Sequence, residues 1–177
     1  MNEFIETLKK RRSIRKFRPD MPAKEDLEQI VEAGLFAANG MGKQGTIIVA
    51  ITNKEVRDRL SAANASFFPV GGEGFDPFYG APAVLVVLGS KEVGTSLYDG
   101  SLTMGNMMLQ AHALGLGSCW IHRAKEEFES DFGKELLAQL GITGDYEGIG
   151  HLAVGYPAAP AKAAAPRKDN YVYRIDQ

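Results

Sequence analysis

Apolar positions recur at helical spacing in two early stretches. Ile5 and Leu8 mark one face of a short opening helix, and Leu27, Ile30, Val31 and Leu35 mark a stronger helix over residues 24–37. Pro22 and the acidic pair Glu25-Asp26 suit the first turn of the latter. The pattern then changes period. Thr46–Ile51 is β-branched and apolar on both faces, as is 83–88, and both predict buried strands. A helix is expected over 54–63 between them. Residues 98–114 predict a long helix that is apolar nearly all round, with Leu102, Met104, Met107, Met108, Leu109 and Leu114. Such a helix must be covered on every side, which in a chain this short points to a second subunit. Short strands are expected at 118–121 and 149–156, with helical segments between 125 and 140.

The pattern fails over 64–80. Pro69, Gly71, Gly72, Gly74 and Pro77 break regular structure there, while Phe67, Phe68, Phe75, Phe78 and Tyr79 supply aromatic surface. A long loop that keeps its aromatics reads as a lid or pocket wall, because disordered segments are poor in them. The stretch 157–166 is Ala- and Pro-rich, and a strand-like piece at 171–175 follows it. This tail has no core of its own and suits an arm laid over a neighbouring subunit. With no repeat and no composition break, the chain reads as one domain, residues 1–177, with an extended arm from 157 to 177.

The net charge is -2, which argues against nucleic-acid binding through a broadly basic surface. The distribution is less even than the total: Lys9, Lys10, Arg11, Arg12, Arg15, Lys16 and Arg18 crowd the start, and Arg167, Lys168 and Arg174 lie near the end. The one cysteine, Cys119, excludes an intrachain disulfide. No apolar stretch has the length of a signal core or a membrane span, so the expected location is cytoplasmic.

Two motifs carry candidate chemistry. Gly40-Met-Gly42-Lys-Gln-Gly45 matches the dinucleotide pattern by letter, but a helix precedes it and a strand follows, the reverse of the order that pattern needs. Its glycines fit a helix cap and a close backbone approach to a ligand. Arg11-Arg12-Ser13-Ile14-Arg15 is either a solvated basic face or a phosphate clamp. The planar guanidinium fork, the Ser13 hydroxyl and a second basic point at Arg167-Lys168 favour the clamp, made from both ends of the chain. Cys119, His122 and His151 could form a nucleophilic set, although a buried thiol beside unrelated histidines accounts for them as well. The histidines have no metal-ligand spacing.

Arg11-Arg-Ser-Ile-Arg-Lys-Phe17, Gly115-Leu-Gly-Ser-Cys-Trp-Ile121 after a long helix, and Gly155-Tyr-Pro followed by Pro166-Arg-Lys together resemble the nitroreductase family of FMN-dependent oxidoreductases, in order and over nearly the whole chain. The resemblance implies an α+β fold with a central mixed, mainly antiparallel sheet flanked by helices. The alternation of helices and strands alone predicts a parallel one. It also implies a homodimer that exchanges its C-terminal arms and builds each FMN site from both subunits. By this resemblance Arg11, Arg12, Ser13, Arg167 and Lys168 meet the phosphate and ribityl chain, and Arg15 lies at the pyrimidine edge. Ala38, Asn39, Gly40 and Gln44 reach a flavin, the first three across the interface. Trp120, Ile121, His122 and Arg123 run along the ring, with the Arg123 amide toward flavin N5.

The expected activity is hydride transfer from NADH or NADPH through the flavin to a small acceptor such as a nitroaromatic or quinone, in a ping-pong cycle. No protein acid or base is assigned, and Phe78, Tyr79 and His122 are the expected walls of the acceptor pocket. Where family members often have a Pro-Ser turn and Gln-Pro-Trp, this chain has Ala-Asn-Gly-Met-Gly-Lys-Gln-Gly, and Asp76-Pro-Phe-Tyr79 stands where some place polar flavin contacts. A different flavin reaction (fragmentation, dehalogenation) and a non-catalytic binder of a phosphorylated ligand are the competing readings.

Overall fold

The computed structural model describes residues 2–68 and 74–176; Pro69, Gly71 and Gly72 of the aromatic loop lie outside the described residues. Helix α1 (Glu3–Lys10) starts at Asn2, whose Oδ1 accepts from Phe4 N–H at 2.9 Å. Helix α2 (Lys24–Leu35) buries Leu27 and Ile30, two of the four apolar positions that predict it. A single 3₁₀ turn, Gly40–Gly42, separates it from strand β1 (Thr46–Ile51). Helix α3 (Lys54–Ala65) is capped by Asn53, whose Oδ1 accepts from Val56 N–H. There follow β2 (Ala83–Ser90), α4 (Ser96–Ala113), β3 (Gly117–Ile121), α5 (Ala124–Glu129), α6 (Asp131–Gln139) and β4 (Tyr146–Gly155).

The four strands form one sheet in the order β1-β2-β4-β3, antiparallel in every ladder. The parallel sheet expected from alternation is therefore not formed, and the one parallel pairing among the described residues is the bridge between Ser13 and Ser118 at the sheet's edge. Both faces of the sheet are buried. Val84, Val86 and Leu88 point with Ile51, Cys119, Ile121 and Ala153 toward α3, α5 and α6, where Leu60, Phe128, Leu136 and Leu137 meet them. The alternate residues Ala83, Leu85 and Val87 point with Leu152 and Val154 toward α2 and α4, against Ile30, Met104 and Met107. Two-sided burial explains why the β2 sequence is continuously apolar rather than alternating.

The pairing of β2 with β4 slips by one residue between Val87 and Leu88, a bulge at Ile149 that turns this side chain into the α2/α4 layer. Gly148, beside the bulge, lies directly under the start of α5: a Cβ there would run into the carbonyl group of Ala124. Outside the two cores, Leu97, Tyr98 and Leu102 of α4 stay exposed, together with Phe4 of α1 and Leu35 and Phe36 at the end of α2. The tail leaves the body after Pro157 bridges to Phe17 and Ala158 N–H bonds the Lys16 carbonyl. The strand-like piece at 171–175 forms no strand, and Tyr171, Val172, Tyr173 and Ile175 are exposed. No helix among the described residues is long and apolar enough to cross a membrane.

Gly148→Ala is expected to lower stability by about 1–3 kcal/mol, since the clash is with backbone that cannot rotate away. Thermal denaturation checks this; a Tm equal to wild type would show that α5 can withdraw without cost.

Candidate functional site

The basic segment is fastened to the sheet edge by its own main chain. Ile14 N–H bonds the Ser118 carbonyl at 2.9 Å, so Arg11 to Lys16 runs beside β3. This also covers the otherwise unpaired edge of β3. Residues Arg11 to Lys16 and tail residues Ala159 to Ala163 line a cavity of about 470 Å³. Arg11 Nη1 and Arg12 Nε are buried without a protein acceptor. Burial, and secondly the Arg12 charge, hold the Arg11 guanidinium below its ordinary pKa. Two cations pressed together with nitrogens unpartnered form a site that favours an anion. Arg12 is partly committed elsewhere, since its Nη1 donates to the carbonyls of Lys9 and Arg11 at the end of α1.

A second cavity, about 420 Å³, adjoins the first through Arg15, which lines both. Its other walls are Phe68, Phe75, Pro77 and Tyr79 from the aromatic loop, Cys119 to Arg123 from the end of β3, and Glu126. The loop is held in shape by Asp76. Asp76 accepts from Ser61 Oγ at 2.8 Å, Phe78 N–H at 2.9 Å and Gly80 N–H at 2.8 Å, and pairs with Arg57 Nη2. Arg57 in turn donates from Nε to the Ala81 carbonyl at 3.0 Å and stacks on Phe78. This anchor explains a correction: Phe78 is fully buried in the core against His151 and is not a wall of the pocket. Tyr79, at a positive φ of 57°, and His122 line the second cavity.

Cys119 is buried in β3. Burial pushes its thiol above the ordinary pKa, against the opposing pull of Arg15, Ser13 and Arg11, and a buried neutral thiol is inert. His151 is fully buried, and its Nε2 stands 2.7 Å from Glu127 Oε2, close but not aligned as a hydrogen bond. Asn64 completes a cluster that the sequence reading did not find. Its Nδ2 donates to Glu127 Oε2 at 3.1 Å and to the His122 carbonyl at 3.0 Å. Asn64 Oδ1, Glu127 Oε1 and His151 Nδ1 are buried without partners, each at a cost of about 1–3 kcal/mol. Packing alone would favour apolar groups at these positions. The available signal was periodicity: Glu127 sits between Ala124 and Phe128 on the buried face of α5.

The remaining expected site residues lie apart from these cavities. The segment at Ala38, Asn39, Gly40 and Gln44 is built by local bonds: Gln44 N–H donates to Asn39 Oδ1 at 3.0 Å, and Gly40 N–H donates to Asp99 Oδ1 of α4 at 3.0 Å. Helix α2 runs into it and β1 leaves it, the reverse of a dinucleotide-binding turn. Arg167 and Lys168 are exposed, and the tail residues that reach the basic cavity are 159–163 instead. The clamp expected from the basic segment and Arg167-Lys168 is therefore not closed within the protomer, where Lys162 is the tail's basic residue at the cavity.

Comparison with known proteins agrees with this architecture. The family model of the nitroreductase family matches residues 8–156, and the chain belongs to that family. A nitroreductase of Bacteroides fragilis, solved with bound FMN, superposes with a TM-score of 0.88 at 26% identity, covering 99% of this chain and 100% of that one. An FMN-dependent nitroreductase of Clostridium difficile is 30% identical with a TM-score of 0.79, covering 98% and 99% of the two chains. An FMN reductase (NADPH) of Bacillus subtilis is 26% identical over 173 residues, 89% of this chain and 67% of its own.

Asp76 supplies a pH test of the loop anchor. Burial alone would raise its carboxyl, but the bonds from Arg57, Ser61, Gly80 and Phe78 together hold it below its ordinary value. A carboxyl depressed in the folded state contributes stability above its unfolded pKa, about 3.9, and loses it as pH falls through the lower folded value. Asp76→Asn is expected to destabilise by about 1–3 kcal/mol near neutral pH, with the gap to wild type closing below about pH 4. Chemical denaturation at both pH values checks this; a gap independent of pH would assign the loss to packing.

Proposed function

We propose that this protein is an FMN-dependent NAD(P)H oxidoreductase that acts as a homodimer. The observation that carries the reading is Arg15, shared by a basic cavity and an aromatic one. Together they suit a ligand with an anionic end and a planar ring. The residues fit FMN: unpartnered guanidinium nitrogens at Arg11 and Arg12 stand where a phosphate would be taken up, and the Ser13 hydroxyl adds a donor. Trp120, Ile121, His122 and Arg123 would flank the ring. When bound, FMN supplies a ring nitrogen that takes hydride from NADH or NADPH and passes reducing equivalents to an acceptor such as a quinone or nitroaromatic.

The protein's contribution is placement and charge. Arg15 holds a fixed cation where negative charge would develop on a reduced ring, which lowers the cost of reduction. Phe68, Phe75 and Tyr79 form an apolar wall that would shield one side from water and accept a planar substrate; Phe78 acts behind them as the core anchor of that wall. Donor and acceptor would use the same open face in turn, a ping-pong order.

Two features support a second subunit. The exposed apolar residues of α1, α2 and α4 form the kind of surface that an obligate partner covers. Ala38, Asn39, Gly40, Gln44, Arg167 and Lys168 fail to reach the protomer's own cavities but could reach those of a partner, with the tail crossing over as an arm. Each flavin site would then be complete only in the dimer.

The purified protein is expected to be yellow, and anaerobic NADH or NADPH should bleach it; colourless protein that ignores added FMN would refute the reading. Arg11→Ala should weaken FMN binding by about 1.5–3 kcal/mol, roughly ten- to hundredfold in Kd, and Arg167→Ala should act in the same direction. Full FMN occupancy in the double variant, measured by flavin absorbance per chain, would remove the clamp assignment.

A further inference from the structure

The turn that leaves β3 is held from both sides. Arg123 adopts φ 75°, ψ 9°, a left-handed conformation that a residue with a Cβ takes only when its surroundings enforce it. On the far side, the Arg123 carbonyl accepts from Glu127 N–H at 3.0 Å. On the near side, the His122 carbonyl accepts from Asn64 Nδ2 at 3.0 Å. Asn64 is fully buried, and its other amide hydrogen goes to Glu127 Oε2, the oxygen that also meets His151. Asn64 of α3 thus holds this peptide directly, and Glu127 of α5, beside His151 of β4, holds Asn64.

That peptide joins His122 to Arg123. A peptide unit is planar and trans, so its carbonyl and its N–H point in opposite directions, and no peptide bond described is cis. With the His122 oxygen drawn inward to Asn64, the Arg123 N–H faces away from the core, on the side of the cavity that both residues line. Rotating this peptide would cost the Asn64 bond and strand a buried carboxamide. Its direction is set by the buried cluster and not by anything at the surface.

We propose that Asn64, braced by the buried Glu127–His151 pair, is a positioning residue that aims the Arg123 N–H into the cavity at the redox end of the flavin. This rests on the FMN reading above. It accounts for a cluster with four polar atoms lacking a hydrogen bond in a core where apolar groups would pack at less cost: the cluster maintains a direction. Asn64 touches neither cofactor nor substrate; it acts through the peptide. The basic cavity, which would carry most of the FMN affinity, lies apart from it and does not depend on it.

The test uses the FMN-loaded protein. Asn64→Leu keeps the number and branching of the side-chain heavy atoms, with more bulk, and removes both N–H donors. Single-turnover reduction of the bound flavin by NADPH is expected to slow about tenfold or more, and the visible band and midpoint potential of the bound flavin should shift. FMN affinity, followed by quenching of flavin fluorescence on the apoprotein, should change less than about threefold, because the phosphate contacts remain. Asn64→Ser, which keeps one hydroxyl donor, should fall between the two. A second measurement needs no variant: in the wild-type protein, loading with FMN should slow hydrogen exchange of the Arg123 amide about tenfold or more, followed by NMR. Unchanged exchange at Arg123 would overturn the proposal. So would an Asn64→Leu protein that takes up FMN with wild-type spectrum, potential and reduction rate and is only less heat-stable, since that is the signature of a structural residue. Failure of the wild-type protein itself to take up FMN would overturn the functional reading together with this one, whereas normal uptake with a silent Asn64→Leu removes this one alone.

Discussion

The placement of β4 between β2 and β3 is the constraint from which the rest of the molecule follows. It pairs with β2 along most of its length and with β3 over residues 151–155, and its side chains go to both cores. Val154 and Leu152 go to one core, and Ala153 and His151 to the other. The bulge at Ile149 reverses that alternation, and Gly148 beside it admits the first turn of α5 to the sheet. Because α5 sits this close, Glu127 reaches His151, and the turn between β3 and α5 has to be sharp. The left-handed Arg123 is the consequence.

A sheet buried on both faces leaves its ends for chemistry. Here the end of β3 receives three contributions that share no sequence neighbourhood: the basic segment docked by Ile14 on Ser118, the aromatic loop anchored by Asp76 and Arg57, and the turn at His122 and Arg123. Backbone strain gathers at the same place. The non-glycine residues with positive φ among those described are Met41, Gln44, Tyr79 and Arg123. Tyr79 and Arg123 line the aromatic cavity, and the first two belong to the loop that belongs, on the proposed reading, to a partner's site. Strain of this kind, of order 1–3 kcal/mol per residue, persists where the surrounding structure over-determines the backbone. Asp76 with four bonds, and the Asn64 cluster, are what over-determine it here.

The amino-acid pattern was most informative where it recorded burial. Continuous apolar runs located β1 and β2, helical spacing located α2, and the all-round apolar character of 98–114 pointed to α4 together with the surface it leaves open at Leu97, Tyr98 and Leu102. Strand direction was not legible in the same way, because a strand buried on both faces looks alike in parallel and antiparallel sheets. The basic segment stood out as chemistry because its residue types are unusual in a row, and the Trp120–Arg123 stretch through the family resemblance. Phe78 could not be told from Phe75 or Tyr79 by type, and only the fold shows that Arg57 stacks on it within the core.

By itself, then, the sequence determined the main helices and strands of the body and the groups able to meet an anion and a planar ring, since periodicity and residue chemistry are local properties, and its ordered motifs carried the family resemblance. Tertiary structure decided what those groups do together. It brought Arg15 to the boundary of two cavities and withdrew Phe78 from the site. It also joined Asn64, His122, Glu127 and His151 into one cluster, 58 residues separating the first two and 63 separating Asn64 from Glu127. Partners that far apart along the chain leave no local mark; only the close packing of α3, α5 and β4 around one peptide makes them neighbours.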